Sequence, residues 1–332
     1  MKRIFSAFFA LTIIASLLCR NVAPTKAEAA KQLSIVTTIF PEYDWVRQIL
    51  GDKFPDADVT MLLDNGVDLH SYQPTVDDIV KIATCDLFIY VGGESDSWVE
   101  DALKHSVNKD MKVINLLEVL GDSVKAEETV EGMQETAHDH DEDDEDDDHE
   151  EHEEEKDEHV WLSLKNAKVL CDAISKALQE LDPDSKDIYA ANAEAYEKQL
   201  SALDEKYQKA VDNAAYKTLL FGDRFPFRYL TDDYGLRYYA AFSGCSAESE
   251  ASFDTIHFLA KKLDELELPC ILTIEGTKHR IAQTIVENTA EKNQAVLSMD
   301  SMQSTTLKDV AQGTTYLSVM EKNLDVLTNA LG

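Results

Sequence analysis

From position 33 to 117, short runs rich in β-branched residues alternate with stretches whose apolar residues recur three and four positions apart. The runs 34–40, 58–63, 86–91 and 112–117 predict strands, and 41–50, 75–84 and 97–105 predict helices between them. Alternation of this kind builds parallel strands joined by crossover helices. The pattern returns in the second half, with strands at 217–221, 238–242, 270–275 and 295–299 and helices at 226–233, 253–267, 279–289 and 318–331. Between the halves, 162–181 is helical, Asp182-Pro183 interrupts it, and 185–214 runs on without a glycine or proline. A helix of about 30 residues is about 45 Å long, enough to run the length of a small domain.

The expected fold is therefore α/β, with two Rossmann-like lobes, each a mostly parallel sheet with flanking helices, joined by one long rigid helix. Its divisions are an N-terminal lobe at 30–183, a linker helix at 184–215 and a C-terminal lobe at 216–332. Ligands of open α/β sheets bind beyond the carboxyl ends of strands, and pockets favour domain interfaces, so the site is expected between the lobes.

Two stretches depart from this pattern. At the start, Lys2 and Arg3 precede an apolar run at 4–18, and Ala27-Glu28-Ala29 offers a small-x-small cleavage pattern, which together predict a signal peptide over 1–29 and export from the cytoplasm. About 15 apolar residues fall short of the roughly 20 that span a bilayer. Cys19 ends the apolar run, where a lipid-modified cysteine would stand, yet Leu17 and Leu18 replace the small residues such processing prefers, and lipidation stays open.

The second departure is 138–158, where 16 of 21 residues are acidic, four are histidine and one is lysine. Such a run repels itself and has nothing to bury, so a disordered surface loop over 137–158 is expected within the N-terminal lobe. It carries about half of the formal net charge of -33. With no lysine and arginine cluster anywhere, the chain has nothing to hold a phosphate backbone, and nucleic acid is excluded as a partner.

Beyond position 29 the chain keeps four cysteines, Cys85, Cys171, Cys245 and Cys270, widely spaced and with no CxxC pair. That is neither a disulfide framework nor a zinc-finger pattern. Cys85, Cys171 and Cys270 lie in apolar stretches, where a buried thiol packs as a small hydrophobe.

Two histidines stand at loop ends where a ligand would be presented. His70 lies in Asp68-Leu69-His70-Ser71-Tyr72-Gln73-Pro74-Thr75, after a strand and before a helix, and His159 lies in Glu158-His159-Val160-Trp161-Leu162-Ser163, at another helix start. A histidine taken singly is more often a surface or satisfied core residue, and His159 alone reads as a helix-entry histidine beside a core tryptophan. In the acidic run, imidazole suits zinc and the carboxylates attract any dication, so His138, His140, His149 and His152 are expected to form a low-affinity collector or sensor.

In these two segments the chain resembles the zinc- and manganese-binding receptors of ABC importers. The resemblance extends to Ile35-Val36-Thr37-Thr38-Ile39-Phe40-Pro41, Asp233-Tyr234-Gly235-Leu236, Gly244-Cys245-Ser246-Ala247-Glu248-Ser249-Glu250 and Met299-Asp300-Ser301, and to the position of the acidic histidine-rich run ahead of His159. It implies that His70, His159 and Asp300 bind the metal. For the third ligand such receptors carry His or Glu three residues before an aromatic, and counting back from Phe227 reaches Arg224, which has no lone pair to offer. Asp223 beside it and Cys245 after the next strand are the alternatives, with water or Glu275 also open. Asp223-Arg224 reads equally as an ion pair at a helix start.

The resemblance implies an extracytoplasmic monomer that hands metal to the permease and ATPase of an ABC importer, with little lobe motion about the long helix. Zinc is expected as the cargo, from the histidine-rich run and Cys245, with manganese the alternative if carboxylates complete the site. No HExxH, GxSxG or glycine-rich phosphate loop is present, so an enzyme is not expected. The competing classes are a metal-buffering or adhesive surface protein and a zinc-dependent hydrolase.

Overall fold

The first sheet is built from β1 (Ser34–Thr37), β2 (Asp58–Met61), β3 (Leu87–Tyr90) and β4 (Lys112–Asn115), and the helices between them are α1 (Phe40–Leu50), α2 (Val76–Thr84) and α3 (Val99–Lys104). The computed structural model describes residues 32–134, 155–246, 250–276 and 278–332. The signal peptide expected at 1–29, Cys19, and His138, His140, His149 and His152 lie outside the described residues.

Asn115 ends β4 by accepting the backbone N–H of Glu118, which caps α4 (Leu116–Leu120) and turns helical two residues expected to be strand. After the acidic run come α5 (Leu164–Leu181) and α6 (Lys186–Asn213), with Ser163 capping α5 through the N–H of Asn166. The second half is β5 (Thr218–Phe225), α7 (Arg228–Tyr234), β6 (Arg237–Ser243), α8 (Phe253–Glu265), β7 (Cys270–Thr273), α9 (Arg280–Glu287), β8 (Ala295–Ser298), α10 (Leu307–Ala311) and α11 (Tyr316–Leu331).

The strand orders are β2-β1-β3-β4 and β6-β5-β7-β8, and the pairings within each sheet are parallel. Both halves thus use one topology, in which each second strand crosses to the edge and the third lands on the far side of the first. Burial on both faces gives β3 and β7 their uninterrupted apolar character.

β5 runs four residues further than expected, to Phe225, and its pairing with β6 shifts register between Phe221 and Arg224. Asp223 and Arg224 therefore lie on a strand at an irregularity, not at a helix start, and the register shift re-aims their side chains.

At 28 residues α6 is about 42 Å long. Tyr189, Ala193, Tyr196, Leu200, Leu203, Tyr207 and Val211 are buried at spacings of three and four, which gives one apolar stripe. α6 packs against α5, α1 and α11, and Tyr207 donates a buried hydrogen bond of 2.6 Å to the carbonyl of Met320. One core joins Ile35, Trp45 and Phe88 on the first sheet's side to Phe221, Met299 and Tyr316 on the second's. A smaller cluster with Leu220, Phe242, Leu259, Ile271 and Ile285 fills the space under α8 and α9. Among the described residues no helix is long and apolar enough to cross a membrane.

Residues 155–158, expected inside the disordered loop, are ordered. Lys156 bridges Ala126, the N–H of Glu127 donates to the carbonyl of Glu155 at 2.7 Å, and that of Asp157 donates to the carbonyl of Lys125 at 2.9 Å. Asp157 and Glu158 are buried. Composition reports like-charge repulsion but not the main-chain pairing that overcomes it at the end of the run.

Candidate metal centre

His70 sits on a short 3-10 turn, Leu69–Ser71, whose cap is Asp68. Asp68 Oδ1 accepts the backbone N–H of His70 at 3.0 Å. His159 precedes a second such turn, Val160–Leu162, and Cys245 lies in the turn that follows β6. His159 is fully buried, and the Trp161 beside it donates to the carbonyl of Ser301 at 2.8 Å while its own carbonyl accepts from the Tyr316 hydroxyl at 2.6 Å. The segment carrying His159 is therefore braced against the loop after β8 and the start of α11.

These three segments converge. The Nε2 atoms of His70 and His159 are 3.2 Å apart, and ligand atoms of His70, His159 and Cys245 all lie within 4.8 Å of one another. Two nitrogens bound to one tetrahedral zinc at about 2.05 Å stand about 3.3 Å apart, so the histidine separation suits a shared ion. The other ring nitrogens are engaged. His70 Nδ1 is 2.8 Å from Ser95 Oγ and 3.4 Å from Glu158 Oε2, and His159 Nδ1 is 3.0 Å from Asp157 Oδ1. Each imidazole with its Nδ1–H donating outward presents the Nε2 lone pair inward.

The electrostatics favour a neutral imidazole. Burial, reinforced by the neighbouring His159, pushes His70 down to about 3, so it holds no proton at neutral pH to repel a cation. Burial, together with the carboxylates of Glu127, Asp157 and Glu158, pushes the Cys245 thiol up. Without a cation Cys245 is a thiol, and a bound dication would take its sulfur as thiolate and release the proton.

Glycine makes room at two points. A Cβ on Gly244 would come within 2.9 Å of His159 Cε1 and of the Phe225 carbonyl. One on Gly93, at φ +84°, would come within 2.3 Å of Glu158 Oε1.

Arg224 stands where the resemblance puts a ligand, and it spans the site instead. Its Nη2 is 2.6 Å from Asp68 Oδ2, and its Nη1 donates to the carbonyl of Ser246 at 3.4 Å. One guanidinium therefore connects the turn of His70 with the residue after Cys245. Burial raises the Asp68 carboxyl, but Arg224 and His70 outweigh that and hold it below its ordinary value.

The other expected ligands stand outside the triad. Asp300 accepts the N–H of Met302 at 2.8 Å, and burial with Glu275 nearby raises its carboxyl to about 6. Glu275 takes the backbone N–H and the hydroxyl of Ser301 at 2.7 and 2.6 Å. Asp223 accepts the backbone N–H of Arg224 at 2.9 Å, and the expected ion pair between them is not formed, because the Arg224 guanidinium goes to Asp68. The structure thus joins His70, His159 and Cys245, leaves Asp300 and Asp223 to local backbone bonds, and ties Glu275 to the turn of Ser301. Ser95, Glu127, Asp157 and Glu158 carry no signature as single residues in the sequence. The nearest signals are the adjacency of Asp157-Glu158 to His159 and the Gly92-Gly93 pair.

Residues 35–330 match the family model described as zinc-uptake complex component A, periplasmic. The chain is 31% identical over 327 residues to the zinc-binding lipoprotein AdcA of Streptococcus pneumoniae, covering 98% of this chain and 60% of that protein's length. It is 30% identical over 316 residues to the high-affinity zinc uptake system protein ZnuA of Bacillus subtilis, covering 94% and 92%. Among solved structures it resembles the Zn(II)-bound ZnuA-like domain of Streptococcus pneumoniae AdcA, with a TM-score of 0.68 and 28% identity over 91% of this chain and 99% of that one.

Proposed function

The chain belongs to the family of the periplasmic zinc-uptake complex component A, and from that membership we propose that it is an exported receptor that captures zinc and delivers it to the permease and ATPase of an ABC importer. His70, His159 and Cys245 grip the ion, and a water completes a tetrahedron. The observation that carries this reading is the convergence of three donors, from three separate segments, to within 4.8 Å of one another. Two imidazoles and a thiolate form a soft set that suits zinc, whereas manganese favours carboxylate and water oxygen. The reading involves no turnover: the relatives named above are called binding and uptake proteins.

The test is a competition titration of zinc against manganese on the protein with and without residues 138–154, sparing the ordered 155–158. One tight zinc equivalent should survive the removal and be lost with His70→Ala. Zinc binding that disappears with the acidic run, or manganese bound more tightly than zinc, would overturn the assignment.

A further inference from the structure

Residues 125–127 and 155–157 pair as a short antiparallel stem, the second strand of which is the ordered end of the acidic histidine-rich run. We propose that this stem, with Glu158 beside it, is the outer shell of the metal centre, in which Glu127, Asp157 and Glu158 are positioning residues for Cys245, His159 and His70 respectively. The inference rests on the triad being the metal centre and adds what holds it in shape.

Each ligand faces one of these three carboxylates. Glu127 Oε1 accepts the backbone N–H of Cys245 at 3.0 Å and so fixes the turn that carries the sulfur. Asp157 Oδ1 takes both the backbone N–H of His159 at 2.9 Å and its Nδ1 at 3.0 Å, which sets ring and main chain together. Glu158 Oε2 is 3.4 Å from His70 Nδ1, and its Oε1 accepts the N–H of Ser95, whose hydroxyl is 2.8 Å from the same Nδ1. The stem is anchored in turn: the Tyr229 hydroxyl donates to the Asp157 carbonyl at 2.8 Å and accepts the N–H of Lys125 at 3.0 Å.

Carboxylates on the far nitrogens of ligating imidazoles fix ring orientation and raise ligand basicity. Here Asp157 and Glu158 face the far nitrogens of His159 and His70 while Glu127 holds the main chain of Cys245, and the pairing of 125–127 with 155–157 keeps Glu127 and Asp157 in one frame with Glu158 next in the chain. Residues 155–157 are the end of the acidic run, so the run leads in sequence directly into the centre's outer shell.

The test uses the full chain with Glu158→Gln, Asp157→Asn and Glu127→Ala, titrated with zinc by competition and with cobalt(II) by absorption. The first two preserve size and hydrogen-bonding capacity while removing charge. Each variant is expected to bind one equivalent with affinity lowered about 10- to 100-fold and with displaced cobalt bands, while its metal-free melting curve matches the parent. Glu127→Ala should also weaken the sulfur-to-cobalt charge-transfer band, and Glu127→Gln, which can still accept the Cys245 N–H, should restore it. Affinities within about twofold of the parent with unchanged cobalt spectra would overturn the inference. Cys245→Ser separates the two levels: if the charge-transfer band persists in it, the triad itself is wrong, and if the band is lost while the stem variants are silent, only the outer-shell role falls.

Discussion

Arg224 places Nη2 2.6 Å from Asp68 Oδ2, while Asp68 Oδ1 accepts the backbone N–H of His70. The pair joins β5 to the loop after β2, and so one sheet to the other at the edge of the metal centre. Arg224→Gln leaves Asp68 without its charged partner and frees the turn of His70. Zinc affinity should fall about 10- to 100-fold, and Arg224→Lys should recover only part of it, because an ammonium lacks the fork that reaches both Asp68 and the Ser246 carbonyl. Competition titration of the two variants checks this, with equal affinities for Lys and Gln as the contrary result.

Cys245 is the one soft donor of the triad. Cys245→Ser should lower zinc affinity more than any outer-shell change, by about 100-fold or more, while manganese, which gains little from sulfur, changes far less. Parallel titrations with the two metals measure the ratio.

Zinc binding should release a proton from Cys245, whose thiol lies above its ordinary value. Between about pH 7.5 and 8.5, above the ordinary imidazole range, the thiol is protonated when free and thiolate when bound. Apparent affinity should therefore rise about tenfold per pH unit. Cys245→Ser should flatten that slope, as read by calorimetry in buffers of different ionisation enthalpy.

Gly244 touches both halves of the grip. Gly244→Ala brings a methyl to 2.9 Å from His159 and from the Phe225 carbonyl, so either the ring or the Cys245 turn must move. Zinc affinity should drop about tenfold or more. A titration indistinguishable from the parent would show that the turn yields freely.

Asp300 is raised to about 6 by burial and by Glu275. Its folded value exceeds its unfolded one, so its charge costs stability above about pH 6 and the cost fades as pH falls toward about 4. Asp300→Asn should raise the melting temperature of the metal-free protein by about 2 °C or more at neutral pH, with the gain gone near pH 4. A gain independent of pH would point to packing instead.

Much of the architecture is legible in the hydrophobic pattern. The eight strands of the described residues and the long helix fall where the spacing of apolar residues puts them, because a buried parallel strand and an amphipathic helix impose different periods on the chain. The exceptions have local causes: Asn115 capping α4 early, and the irregularity in β5 that carries the strand on to Phe225.

For the site, the donor chemistry is legible along the chain: two histidines at loop ends, a cysteine after a strand, and an arginine unable to ligate. Which of them meet follows from long-range packing alone. His70 and His159 are 89 positions apart, and no periodicity encodes a contact across such a distance. Cys245 rather than Asp223 joins them because the β5 register shift turns Arg224 toward Asp68 and the β6 turn delivers the sulfur to the histidines. Local pattern sets which face of an element is buried; the direction in which a loop side chain points depends on how the two sheets pack around their common core.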